Sequence, residues 1–160
     1  MKVFGFAGWS GSGKTTLIEQ LIPEFVRRGL TVSLIKHAHH DFDIDQPGKD
    51  SWRHRQAGAS EVLITSAQRW ALMHELRGEA ECGLEAHLAR LSPCDLVLVE
   101  GFKREPIPKL EIHRPSVGKP LLFLDDPHVV AVASDAALST ALPLFDLNDV
   151  GGIADFILGT

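Results

Sequence analysis

The apolar positions change period along the chain, and each change predicts an element. "KVFGFAG" is a short β-rich run ending in glycine. "TTLIEQLIPEFVRRGL" then sets Leu17, Ile18, Leu21, Ile22 and Phe25 at helical spacing until Gly29 closes the segment. Pro23 falls inside that pattern, where a proline can kink a helix. "TVSLIKH" predicts a second strand, and "DLVLVEG" (residues 95–101) a third, whose continuous apolar centre is that of a strand buried on both faces. Strand, helix, strand implies a parallel sheet. Between them "SEVLITS" and "RWALMHEL" read as a strand pair turning around Ser66 to Gln68, followed by a helix through "GLEAHLARL". Past residue 101, "PKLEIHR", "PLLFL" and "VVAVAS" predict short strands and "DVGGIADFIL" a closing helix. The expected class is α/β, a doubly wound, mostly parallel sheet with an added β-hairpin. The stretch from His37 to about Lys49 is polar and irregular, and long irregular loops in compact domains are often functional.

Composition narrows the classes of function. The chain has 160 residues, 44% hydrophobic and 23% charged, which suits one globular domain over residues 1–160 that needs no disulfide or metal staple. No repeat, linker or low-complexity segment divides it. No apolar run approaches the ~18 residues of a membrane span. A net charge of −5 gives no global electrostatic reason to bind nucleic acid or an acidic membrane, so any polyanion must be held locally. The start of the chain has a short apolar segment that glycines interrupt and no cleavage-site pattern, so it reads as structure rather than an export signal. Cys82 and Cys94 stand twelve apart with no second pair, which suggests neither a disulfide framework nor a thiolate zinc site and points to a reducing cytoplasm.

The local place for an anion is "GWSGSGKTT". Gly8, then Trp9, Ser10, Gly11 and Ser12, then Gly13, Lys14 and Thr15 complete the phosphate-binding loop pattern, with Thr16 continuing into the helix. The glycines let the chain turn with its N–H groups inward, the helix presents its positive end, Lys14 reaches the outer phosphates and Thr15 offers a hydroxyl to magnesium. A chance glycine-rich turn would not bring strand, spacing, lysine, hydroxyl and helix together. The expected fold is therefore a P-loop NTPase.

A second acidic element ends "DLVLVEG". Glu100, at the carboxyl end of a buried strand expected beside the phosphate-loop strand, is where such sheets set the acid that holds magnesium. The alternative is a solvent-facing edge carboxylate; Asp95, at the start of the same strand, reads as a cap or a surface residue. In the middle loop, Asp43, Asp45 and Asp50 accompany an Asp-x-x-Gly pattern, Asp45 to Gly48, like segments that respond to a γ-phosphate. Gln46 could orient water by analogy with switch glutamines. Lys49, Arg53 and Arg55 give local positive charge for a second anion, or else Asp50 or Ser51 simply caps a helix through "WRHRQAG". His37, His39 and His40, with His54, invite a metal, yet that spacing lacks a fixed frame. Trp9 and Trp52 are packing residues or platforms for a ring. Guanine needs a carboxylate to accept its N1–H and amine; "VVAVASD" offers Asp135, which could equally cap a helix at "AALSTAL", and the full Asn-Lys-x-Asp pattern is absent.

Together "GWSGSGKTTL", "KHAHHDFDIDQPGKDSWRHRQAGA", "LVLVEGFKREPIPKLEIHR" and "DDPHVVAVASD", running in order from residue 3 to about 135, resemble the molybdopterin-guanine dinucleotide biosynthesis protein B family, MobB. The phosphate loop is generic, and the middle and third segments are far more specific. The resemblance implies a homodimeric P-loop adapter that binds GTP with Mg2+ and hydrolyses it slowly if at all. It also implies a partner, the MobA nucleotidyltransferase that joins GMP to molybdopterin, and leaves direct contact with molybdopterin open. On this chain it implies that Gly8 to Thr15 hold the phosphates, that Glu100 and Asp45 lie near magnesium, and that Gly48, Lys49, Asp50 and Ser51 face the nucleotide. Lys14, Asp45 and Glu100 would then be the residues of any hydrolysis. The rivals are a P-loop kinase acting on a small metabolite and a metallochaperone GTPase storing metal in the His37–His40 loop.

Overall fold

The computed structural model describes residues 1–38 and 42–160. They form two compact units, residues 1–37 with 87–160, and residues 38–86.

In the first unit, β1 (Lys2–Ala7) leads through the phosphate loop into α1 (Lys14–Arg27) and back to β2 (Val32–Lys36). The chain returns to this unit for β5 (Leu96–Glu100), β6 (Lys109–His113), β7 (Val129–Ser134), β8 (Leu144–Asp146) and α4 (Val150–Gly159). The six strands pair in the order β2-β5-β1-β6-β7-β8, every pair parallel. This is the expected α/β architecture, and β5 lies directly beside β1, with Phe6 opposite Glu100.

Strand alternation sends Phe4, Phe6, Leu98, Leu110, Ile112 and Ala133 to one face, where they meet Leu17, Leu21 and Phe25 of α1 and Ile153 and Ile157 of α4 in one continuous core. Pro23 sits inside α1 without ending it. The other face of β6 carries polar residues that are nonetheless buried: Lys109 pairs with Asp126 at 2.8 Å, and the Glu111 carboxylate accepts the backbone N–H groups of Leu122 and Phe123, each at 2.8 Å.

That arrangement corrects one expected strand. "PLLFL" is a turn, because two of its N–H donors go to Glu111 rather than to a ladder. Conversely, β8 was not expected, being only three residues long.

The second unit holds α2 (Asp50–Gln56) and the hairpin of β3 (Glu61–Thr65) and β4 (Trp70–His74), antiparallel as expected; α3 (Leu84–Leu88) follows it. The expected cap by Asp50 or Ser51 is absent: Lys49 is the N-cap, no side chain caps α2, and the Ser51 hydroxyl donates instead to Asp45 at 2.8 Å. "AALSTAL" forms no helix, so Asp135 caps none.

Candidate functional site

The phosphate loop has the backbone that an anion cradle requires. Gly8, Gly11 and Gly13 all have positive φ, at 152°, 81° and 97°. A side chain at Gly8 would meet the Ser12 hydroxyl at 2.6 Å and the Ile112 carbonyl at 2.7 Å, so the close approach itself demands glycine. Ser12 Oγ is buried and has no hydrogen-bond partner among the described residues, which makes it a candidate donor to a ligand. Ser10 and Gly11 stand exposed at the loop's crest, and Thr16 is exposed on the first turn of α1.

The candidate side chains Lys14, Thr15 and Glu100 are already joined to their surroundings. Lys14 Nζ donates to the carbonyls of Gly8 and Trp9, both at 2.9 Å, spanning the loop it would share with phosphate oxygens. Burial pushes the Lys14 ammonium below its ordinary value, Glu100 pulls it back up, and Lys103 and Lys36 push it further down. Thr15 Oγ1 donates to Glu100 Oε1 at 2.9 Å, and Lys36 Nζ lies 3.4 Å from Glu100 Oε2. Glu100 is buried at the carboxyl end of β5, so the expectation of a solvent-facing edge carboxylate is set aside.

The position of Glu100 follows from the backbone around it. Gly101 turns the chain at φ 95°, and the N–H of His37 donates to the Glu100 carbonyl at 2.8 Å. The His37 ring packs 4.9 Å from that of Phe102. Asp95, at the other end of the segment, accepts from the N–H and hydroxyl of Thr31 at 2.8 and 2.6 Å and serves the fold.

Positive charge gathers over Trp9. Its indole Nε1 donates to the Pro120 carbonyl at 2.8 Å, and the ammoniums of Lys103 and Lys119 lie 5.0 and 5.8 Å from its ring centroid. Lys36, Lys103 and Lys119 were not singled out in the sequence. Their signal was position alone: Lys36 ends β2 and Lys103 comes three residues after β5, at the edge where α/β sheets bind ligands, and Lys119 lies in the loop between β6 and β7.

Asp135 follows β7 and lines a pocket of about 280 Å3 with Ser134, Ala136, Leu144, Phe145 and Asp146. One of its oxygens accepts from Arg114 Nη1 at 2.7 Å, and Arg114 Nε donates to the carbonyl of Ser12 at 3.0 Å. Arg114 was not distinguished by sequence reasoning; it lies one residue beyond β6, the neighbour of the phosphate-loop strand.

In the second unit, Asp45 is largely buried, with its oxygens held by Ser51 Oγ and Arg55 Nε, each at 2.8 Å. Arg55 also pairs with Asp43 at 2.7 Å and with Glu75, and these partners, Glu75 foremost, raise its already high pKa. Any metal role for Asp45 would have to draw it away from that guanidinium. Gly48, Lys49 and Asp50 are exposed at the start of α2, Gln46 is exposed before them and Trp52 is half-buried within the helix. Arg53 and His54 are exposed on that helix. His39 and His40 lie outside the described residues, and among the described residues no cluster of three or more His, Cys, Asp or Glu could hold a metal ion. Among them, too, no helix is long and apolar enough to cross a membrane.

Comparison with known proteins bears on this geometry. The family model of molybdopterin guanine dinucleotide synthesis protein B, MobB, matches residues 3–135. The molybdopterin-guanine dinucleotide biosynthesis adapter protein of Escherichia coli (strain K12) is 49% identical over 159 residues, covering 98% of this chain and 91% of that protein. Its counterpart in Haemophilus influenzae is 47% identical over 155 residues, covering 97% and 86%. Among solved structures, a crystal structure of molybdopterin-guanine biosynthesis protein B aligns with a TM-score of 0.77 at 29% identity over 98% of both chains. Bacillus subtilis MobB aligns with a TM-score of 0.79 at 25% identity, over 99% of this chain and 97% of its own.

Proposed function

From the premise that this chain belongs to the MobB family of adapters in molybdopterin guanine dinucleotide biosynthesis, we propose that it is a GTP-binding adapter. It assists a MobA-type guanylyltransferase, with at most slow, Mg2+-dependent hydrolysis. The observation that carries the reading is the prearranged link between loop and acid: Thr15 on the first turn of α1 is hydrogen-bonded to Glu100 at the end of β5, beside a loop whose Gly8, Gly11 and Gly13 all have the positive φ that an anion cradle uses.

In this reading the loop amides from Gly8 to Thr15 and the Lys14 ammonium hold the phosphates, and Thr15 and Glu100 hold magnesium, directly or through water. Bound magnesium would neutralise phosphate charge. The orphaned Ser12 hydroxyl and the threonine–carboxylate pair are the donor set such a complex needs. The base is assigned to the pocket of Asp135 and Asp146, where a carboxylate can accept the guanine N1–H and amine. Slow turnover fits the loop's neighbours: Arg114, which touches the loop, is tied through Nε to the Ser12 carbonyl and through Nη1 to Asp135, contacts that hold its guanidinium to the protein. Homodimer formation and a cytoplasmic location belong to the same proposal.

The test is calorimetric titration with GTP and with ATP, each with magnesium, beside phosphate release over hours with and without a MobA-type partner. GTP-selective binding with little release is expected. Lys14→Ala should weaken GTP at least about tenfold, since a charge-assisted phosphate contact contributes roughly 1.5–3 kcal/mol. Rapid ATP turnover with an added metabolite would instead establish a kinase, and stoichiometric metal binding abolished by replacing His37, His39 and His40 would establish a metallochaperone.

A further inference from the structure

Arg114 is the one guanidinium among the described residues that is hydrogen-bonded to both the phosphate loop and the wall of the proposed base pocket. Its Nε donates to Ser12 O at 3.0 Å, while its Nη1 donates to Asp135 Oδ2 at 2.7 Å. The guanidinium also presents its Nε and Nη2 side to the loop: a Cβ built on Gly13 would stand 3.2 Å from Arg114 Nε and 3.4 Å from its Nη2. Gly13 is the N-cap of α1, so Arg114 touches the loop where it becomes helix. Its other partner belongs to the 280 Å3 pocket beyond β7 and β8.

We propose that Arg114 is a positioning and specificity-determining residue that couples recognition of a purine base at Asp135 to the grip of the phosphate loop. This rests on the nucleotide reading given above. A guanidinium can serve two acceptors in fixed directions through separate N–H groups, whereas a lysine offers a single nitrogen. Asp135 Oδ2 is held by Arg114, so the direction in which the carboxylate presents Oδ1 to a base edge is set by an arm whose other end is fixed by the loop. A base that draws on the Asp135 carboxylate therefore loads the same guanidinium that orients the Ser12 peptide. Guanine preference should thus be written partly in how the phosphates are held, and loss of Arg114 should damage discrimination and grip together.

The experiment titrates wild type, Arg114→Lys, Asp135→Asn and the double variant with Mg·GTP, Mg·ATP and inorganic tripolyphosphate, with thermal melts confirming that each variant is folded. Each single substitution is expected to lower the ratio of GTP to ATP affinity about tenfold, and the double substitution no further, because the two residues act as one unit. Tripolyphosphate, which has no base, should weaken several-fold for Arg114→Lys and stay unchanged for Asp135→Asn. Additive losses, or an Arg114→Lys protein that keeps the wild-type ratio while losing all ligands equally, would overturn the coupling and leave Arg114 a structural tie. Wild type that binds tripolyphosphate but shows no preference for GTP would overturn the guanine reading and the coupling with it. Intact preference with additive variants removes only the coupling.

Discussion

Thr15 Oγ1 and Glu100 Oε1 lie 2.9 Å apart, joining the first turn of α1 to the end of β5 across residues 85 positions apart in sequence. The carboxylate is buried yet doubly engaged, by that hydroxyl and by Lys36 Nζ at 3.4 Å. The carboxylate is thereby held in one position beside the phosphate loop, the kind of preorganisation that electrostatic sites depend on.

Glu100→Gln should therefore keep the fold, since an amide oxygen can still accept from Thr15, but lose the charge that, on the proposed reading, would attract magnesium. We expect the enhancement of GTP binding by magnesium to fall at least about tenfold, or ~1.4 kcal/mol. The comparison is affinity with magnesium against affinity with chelator for both proteins. A variant with undiminished magnesium dependence would remove Glu100 from the metal.

Lys14 predicts an alkaline signature in the ligand-free protein. Burial is the main cause that lowers its pKa from 10.5, so the folded state releases the proton at lower pH than the unfolded chain. Between the folded value and 10.5 the unfolded state binds more protons, and stability contributed by this group rises with pH. Lys14→Met should flatten that rise in a series of thermal melts, whereas an identical slope in both proteins would assign it elsewhere. Phosphates favour the charged ammonium, so in the same window binding should take up a proton, which calorimetry in buffers of different ionisation enthalpy would reveal.

Two glycines with positive φ separate backbone strain from collision. Gly118, at φ 66°, has open space where a side chain would go; Gly101, at φ 95°, would set a Cβ 2.7 Å from His37 Cβ and 3.0 Å from the His37 carbonyl oxygen. Gly118→Ala should cost about 1 kcal/mol through conformation alone. Gly101→Ala should cost about 3 kcal/mol, strain and overpacking combined, because the obstructing atoms belong to backbone and a Cβ that cannot swing aside. Urea midpoints measure both, and equal losses would mean that the chain at His37 gives way.

The parts of this molecule that were legible in sequence are those whose chemistry is local. The strand into Gly8, the loop through Thr15 and the helix with Leu17, Leu21 and Phe25 on one face each follow from neighbouring residues. The place of Glu100 was legible because the continuous apolar run before it predicts a strand buried on both faces that ends at this carboxylate. What escaped depends on side-chain partners that the local pattern does not reveal. Leu122 and Phe123 look like a strand until the Glu111 carboxylate, eleven and twelve residues earlier, takes their N–H groups. Ser51 looks like a cap until Asp45 claims its hydroxyl. Arg114 is one basic residue among many until Ser12, 102 positions away, and Asp135 define it.

The indole of Trp9, tied to the Pro120 carbonyl beneath two ammoniums, gives the phosphate loop its own optical reporter. The chain contains no tyrosine, and its other tryptophans, Trp52 and Trp70, belong to the second compact unit. An anion that draws Lys103 and Lys119 from the ring changes the electric field at that chromophore. The emission of a protein retaining only Trp9 should therefore respond to occupancy of the loop without any added label, on the timescale of stopped-flow mixing.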